Sequence, residues 1–304
     1  MTEALLLAAG DARVELAPAT GGAIARFAFG GVDVLRPVSD EARAMGDVRR
    51  YACYPLVPYS NRIANAQLSW SGRTYTLVRN FGDHPNSIHG VGWQRPWQIF
   101  ARDAASALLV FEHAGSDADQ RAWPWPFRAM QSFLLAVDQG IATLAARITI
   151  ANTGTEAFPF GLGFHPFFPR SAATELGFLA DNVWQTDSTQ LPTAKVAIPD
   201  GWCFDPARAV DPVALDNVFT GWHGEATLVD RTRHIATRMV ADSAASFVVV
   251  YVPPARDFLA VEPVTHMTDA FNRAARSESD TGTRALAAGA AFSCTMQISA
   301  RPLP

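Results

Sequence analysis

Residues 127–152 read FRAMQSFLLAVDQGIATLAARITIAN. Phe127, Ala129, Gln131, Phe133, Leu135 and Val137 fall at every second position before Asp138-Gln139-Gly140. Beyond that break, Leu144, Ala146, Ile148 and Ile150 alternate with Thr143, Arg147 and Thr149 up to Asn152-Thr153-Gly154. A period of two puts one set of side chains on one face of an extended chain, so the stretch predicts a β-hairpin with a short polar turn. The same alternation recurs in shorter runs at 23–29, 108–112, 226–230, 235–240, 247–252 and 292–298. Eight or more strands with turn residues between them predict an all-β sandwich or barrel. Only 39–45 and 268–275 carry a helical pattern, and both are short. No linker, repeat or shift in composition divides the chain, so residues 1–304 are read as one large single-domain β-sandwich.

Composition narrows the function. Apolar residues make up 49% of the 304 and charged ones 18%, enough apolar material for a substantial core. A net charge of −4 supplies no basic field for a phosphate backbone, so nucleic acid is not the expected partner. Lys195 is the single lysine, which leaves little scope for Schiff-base chemistry. Cys53, Cys203 and Cys294 are far apart and form no CxxC, so three reduced thiols are expected. The first residues lack a basic region and a long apolar run, and no apolar stretch is long enough for a membrane span. A soluble cytoplasmic protein is the expectation.

The common signatures of phosphate, zinc-protease, serine-hydrolase and calcium sites are missing. Gly161-Leu162-Gly163-Phe164-His165-Pro166 opens like a dinucleotide fingerprint, but Pro166 holds His165 extended where a helix should start. What remains is polar residues set among aromatics, glycine and proline, surroundings that desolvate a group and shift its pKa. They are Asn61-Arg62-Ile63, Ile88-His89-Gly90-Val91-Gly92-Trp93, Phe164-His165-Pro166-Phe167-Phe168, and Val261-Glu262-Pro263. Each has an ordinary structural alternative. His165 could be a core histidine satisfied by a carbonyl, His89 a turn residue, and Asp216 an Asx-turn residue. Glu262 could be tied by a salt bridge to Arg62, since a buried carboxylate needs a partner.

Taken in chain order, these segments resemble the aldose 1-epimerase (galactose mutarotase) family. The match includes Asn61-Arg62-Ile63, the strand at 70–77, Ile88-His89-Gly90, Gly163-Phe164-His165-Pro166, Leu215-Asp216-Asn217 and Val261-Glu262-Pro263, and covers nearly the whole chain. Departures are Val91 in place of a second glycine after His89, and Ala288-Gly289-Ala290 where Pro-Gly-Glu is usual. The resemblance implies the galactose mutarotase-like supersandwich. It also implies interconversion of α- and β-anomers of a free aldose such as glucose or galactose, with no metal or cofactor.

By resemblance, Glu262 is the general base at the C1 hydroxyl, His165 the general acid at the ring oxygen, and His89 a hydrogen-bonding partner near that oxygen. Arg62 and Asp216 are implied to bind the sugar, and Trp93 and Phe167 to offer it apolar platforms. With ordinary pKa values near 4.3 for Glu and 6.5 for His, the pair is expected to start near suitable states, with nearby carboxylates favouring the imidazolium. His84, His113, His223 and His234 are expected at the surface or in loops, and His266 as a possible lining residue. Two alternatives stay open. One is a hexose-6-phosphate 1-epimerase, which requires arginines such as Arg73, Arg79 and Arg95 to face the pocket. The other is a non-catalytic carbohydrate-binding domain of the same fold.

Overall fold

The computed structural model describes residues 4–116 and 120–303. The strands Phe127–Asp138 and Ile141–Asn152 pair along their whole length, from Phe127 opposite Asn152 to Asp138 opposite Ile141. Gln139 and Gly140 both have positive φ, 47° and 75°, the conformation whose twist suits a two-residue hairpin loop. Phe127, Ala129, Gln131, Phe133 and Leu135 are buried on one face, as the alternation requires.

This hairpin lies within a nine-stranded antiparallel sheet. Its order is Gln98–Arg102, Ser106–His113, Phe127–Asp138, Ile141–Asn152, Ala291–Pro302, Ile235–Ala241, Glu225–Asp230, Thr174–Phe178 and Arg208–Ala209. A second, eight-stranded sheet runs Pro192–Ala197, Asn182–Thr186, Leu215–Thr220, Phe247–Val252, Phe258–Val264, Gly163–Phe164 and Pro55–Leu56. Its eighth strand, Phe167–Pro169, also pairs with Phe258–Val264. A four-stranded sheet formed by Leu5–Ala9, Ala12–Ala17, Ala23–Phe29 and Val32–Asp33 completes the larger layers. One continuous apolar core draws on all three sheets, from Leu5 to Ala300. The expected all-β architecture, in one domain-wide core, is the one observed.

Both short helices form inside the segments expected for them. Asp40–Met45 starts at Ser39, whose Oγ accepts the Ala42 N–H at 3.2 Å, and ends at Gly46 in the left-handed region. The second covers Ala270–Ala275. The segment at 70–77, expected as one strand, is instead part of a hairpin: Gln67–Trp70 pairs with Arg73–Thr76 around Ser71-Gly72.

Several buried polar groups lock loops beneath the eight-stranded sheet. His266 was a candidate lining residue, but both of its ring nitrogens are engaged in the interior. Nε2 accepts the Ser60 N–H at 3.1 Å, and Nδ1 lies 2.7 Å from the Met267 carbonyl oxygen, which accepts its proton. Burial pushes its pKa down to about 4, which keeps the ring neutral. The ring packs on Gly161, where an added Cβ would lie 1.8 Å from His266 Cδ2. Gly161→Ala is therefore expected to displace the ring, break the Ser60 bond and lower stability by about 2 kcal/mol, as overpacking of a tight core does. Chemical denaturation checks this; an unchanged midpoint would show that the ring is not a strut.

Candidate active site

Strand register gathers the site. Asp216 stands opposite Tyr251, Tyr251 opposite Ala260, and Ala260 opposite Phe167, one row across four strands of the eight-stranded sheet. Glu262, two residues after Ala260, projects from the same face, since alternate residues of a strand share a side. The small Ala260 leaves room beside it. Behind this row, His165 enters on a segment whose backbone N–H donates to the Tyr54 carbonyl at 3.0 Å. Its ring packs against both Tyr54, at 4.6 Å between centroids, and Phe167, stacked at 4.4 Å.

His165 Nε2 lies 3.2 Å from Glu262 Oε1. Both side chains are almost wholly buried, at 7% and 2% exposure. Burial pushes the Glu262 carboxyl well above the usual range, with Asp216 adding to the rise and Arg62 opposing it. Burial also pushes His165 down to about 3, helped by the positive charges of Arg36 and Arg62. Desolvation therefore overrides the expected preference for an ionised glutamate beside an imidazolium. The two groups titrate as a unit, and the form without net charge holds one proton between them. Among the described residues His165 Nδ1 and Glu262 Oε2 have no hydrogen-bond partner, although both are buried.

His89 reaches the same place from a different element. Arg62–Ile63 pairs with Ser87–Ile88, Arg62 standing opposite Ile88, and the chain then turns through His89 and Gly90 at φ 59° and 71°. A Cβ on Gly90 would lie 2.4 Å from the Val57 carbonyl oxygen, so glycine is required there. His89 Nδ1 accepts the Asn61 N–H at 3.0 Å, while the His89 N–H donates to the Asn61 carbonyl at 2.9 Å. With Nδ1 an acceptor, the ring proton sits on Nε2. Burial holds the His89 pKa well below its ordinary value, with His165 and Arg62 adding to the fall, so His89 is a neutral donor.

Arg62 donates to Asn61 Oδ1 at 3.0 Å and stands 3.6 Å from Asp216 Oδ2. The Arg62–Glu262 salt bridge considered from the sequence is not the pairing observed: Arg62 pairs with Asp216 and Glu262 with His165. Glu262, His165, His89, Arg62, Asp216 and Phe167 all line one cavity of about 310 Å³, within the size range of small-molecule sites. Arg36, Arg49, Tyr54, Asn61, Tyr251 and Phe258 line it too. A larger hollow of about 590 Å³ on the nine-stranded sheet is bordered by Asp138, Arg238 and Arg301 and holds no buried acid–base pair.

Some expected residues lie elsewhere. Trp93 is 1% exposed and packs behind Tyr54 and His89, at 5.5 and 5.8 Å between ring centroids, so it supports those rings and does not line the cavity. His113, expected at the surface, is buried and stacked on Phe127. His223 and His234 are exposed, and His84 is partly buried in a loop. Arg73, Arg79 and Arg95 are exposed and outside the cavity lining. Arg36, Tyr251 and Phe258 carried no local sequence signal; strand register brings Tyr251 and Phe258 to the site, and packing of the loop before the first helix brings Arg36. Among the described residues no group of three or more candidate ligands could hold a metal ion.

The fold is thus a β-sandwich that holds a buried carboxyl–imidazole pair over a small-molecule-sized cavity. The chain belongs to the aldose 1-epimerase family, whose model matches residues 4–299. It is similar to two uncharacterized proteins of Escherichia coli K12. The likeness to YphB is 29% identity over 83% of this chain and 85% of the relative, and that to YihR is 25% over 88% and 85%. A crystal structure of a candidate aldose 1-epimerase from Escherichia coli K12 superposes with a TM-score of 0.88 at 27% identity, covering 99% of both chains. A galactose mutarotase-like protein from Clostridium acetobutylicum shares the fold, with a TM-score of 0.85 at 20% identity over 99% and 95%.

The pair also has a consequence for stability. A carboxyl whose pKa is raised by folding contributes most below its unfolded value near 4.5, and that contribution is lost as pH rises through the folded pKa. Glu262→Gln, neutral at every pH, is therefore expected to gain stability relative to wild type as pH rises from 5 to 8. Melting temperatures at several pH values check this. A wild-type advantage that widened with pH would mean the carboxylate is stabilised in the fold.

Proposed function

We propose that the chain, as one mutarotase-like domain over residues 1–304, is an aldose 1-epimerase. It interconverts the α- and β-anomers of a free aldose such as glucose or galactose by opening and reclosing the ring. The observation that carries this reading is the contact of Glu262 with His165 at 3.2 Å inside the cavity, with His89 as a neutral donor beside it. A site built only to bind sugar gains nothing from burying a carboxyl against an imidazole.

With the proton on His165, Glu262 takes the proton of the C1 hydroxyl. The C1–O1 bond gains double-bond character as the C1–O5 bond breaks, and His165 delivers its proton to O5. Rotation about C1–C2 presents the other face of the aldehyde. O5 then attacks C1, its proton returns to His165, and Glu262 returns its proton to O1. The pair holds one proton before and after ring opening, first on His165 and then on Glu262. Burial favours this one-proton form by penalising both the doubly deprotonated and the doubly protonated pair. His89 Nε2–H stabilises charge at the ring oxygen, Asp216 accepts from ring hydroxyls, and Arg62 holds Asp216 in place. Phe167, at the cavity wall, offers the sugar an apolar edge. Positioning of the reacting groups contributes alongside proton transfer.

No described helix is long and apolar enough to cross a membrane, and a cytoplasmic location is part of the proposal.

Polarimetry on freshly dissolved α-D-glucose and α-D-galactose tests the reading. Wild type is expected to speed the decay of rotation, and Glu262→Gln and His165→Asn to lower kcat at least about 100-fold, the scale of a lost general acid or base. Near-wild-type turnover by either variant would remove that residue from its role, and no acceleration by wild type would favour a binding module. The rate should also hold as pH falls below 6.5, because His165 takes up a second proton only near 3. It should fall on the alkaline side, where the pair loses its single proton. A loss of activity centred on 6.5 as pH falls would contradict the one-proton pair.

A further inference from the structure

Three arginines line the cavity, and two of them are matched by acids. Arg62 is beside Asp216, and Arg49 makes a two-point contact with Asp47 at 2.7 and 2.9 Å. Arg36 forms no ion pair among the described residues; Asp257 acts on it from beyond salt-bridge distance. Its guanidinium is nonetheless held firmly. Nη2 donates to the carbonyls of Arg49 and Tyr51, both at 3.0 Å, and the group lies over the rings of Phe167 and Phe258 at 3.9 and 4.3 Å. Its remaining N–H groups have no protein acceptor among the described residues. Desolvation lowers its pKa to about 10, so it stays charged at neutral pH. A partly buried, fixed and uncompensated cation on a cavity wall is unfavourable unless a ligand neutralises it.

We infer that Arg36, with Arg49 at the rim, forms an oxyanion subsite, and that the preferred substrate is an aldose bearing a negatively charged group on C6. This rests on the epimerase reading above. Phe167 stacks on His165 and also carries the Arg36 guanidinium, so one ring links Arg36 to His165. His165 is assigned to the ring oxygen, whose second neighbour in a pyranose is C5, the carbon that bears C6. The C6 substituent is therefore the part of the sugar closest to Arg36. The planar guanidinium fork suits a carboxylate, sulfonate or phosphate, and such charge-assisted bonds are about twice as strong as neutral ones.

Exchange between anomers at equilibrium, followed by NMR, compares glucose with glucuronate and glucose 6-phosphate at neutral pH. The expected result is a kcat/KM at least about tenfold higher for one or both charged sugars than for glucose, decreasing as salt is raised. Preference for glucuronate would identify a carboxylate-sized monoanion, and preference for the phosphate a phosphoryl group. Arg36→Met should lower the charged-to-neutral ratio about tenfold, with Arg36→Lys restoring part of it. The exposed Arg49→Ser should lower the ratio by less, and it keeps the test available if Arg36→Met does not fold. Equal or better turnover of glucose, or a ratio unmoved in both Arg36→Met and Arg49→Ser, would overturn the subsite and leave the epimerase reading intact. No acceleration with any of the three sugars would overturn both.

Discussion

The contact between His165 and Glu262 is the constraint around which the rest of the site is arranged. Two ionisable groups 3.2 Å apart, both nearly sealed from water, cannot independently hold their ordinary charges. The carboxyl is driven toward its acid and the imidazole toward its base, so a proton is kept between them and can lie on either. That is a poor arrangement for a salt bridge meant to hold a fold together, because a well-packed apolar pair would do as well. For a reaction that takes a proton at one oxygen and returns one at another, it is what the chemistry requires.

Such a pair needs a rigid support, and the sandwich supplies it from distant parts of the chain. Glu262 is fixed by its neighbours in the central part of the eight-stranded sheet. His165 is packed against Tyr54 and Phe167, and His89 is held by a reciprocal exchange of hydrogen bonds with Asn61. Phe167 stacks on His165 and lies under Arg36, so a positive charge is placed near the acid. Desolvation and that charge act in the same direction on His165, which makes its protonated form a stronger acid.

The sequence showed the long strands clearly because each has one buried and one open face, and that difference is written as alternation. It concealed the short ones. Pro55–Leu56, Gly163–Phe164 and Phe167–Pro169 are two or three residues long, rich in aromatics and proline, and buried on both sides, so they have no period to detect. Leu5–Ala9 is all apolar in sequence, so its alternation of buried and exposed residues does not show there. At the site, the motifs located the ionisable residues but said nothing of what surrounds them. Trp93 was misread as a platform because an aromatic beside a motif looks the same whether it faces the cavity or backs the rings that do. Arg36 lies in no motif and reaches the cavity through packing alone. The pKa directions were also out of reach, since they depend on how completely the pair is buried.

Three buried histidines lie in or beneath this face of the molecule, and what separates them is the second nitrogen of each ring. In His266 both nitrogens are tied to backbone groups, so the ring has no free valence and serves as a strut against Gly161. In His89 one nitrogen accepts from Asn61, which fixes the proton on the other and makes the ring a donor that does not exchange it. In His165 one nitrogen faces Glu262 and the other has no hydrogen-bond partner among the described residues, so no second hydrogen bond fixes its tautomer. Residue type and burial are nearly the same in all three. Only the ring whose tautomer is left unspecified can gain and lose a proton within one catalytic cycle, and that ring is the one in contact with the carboxyl.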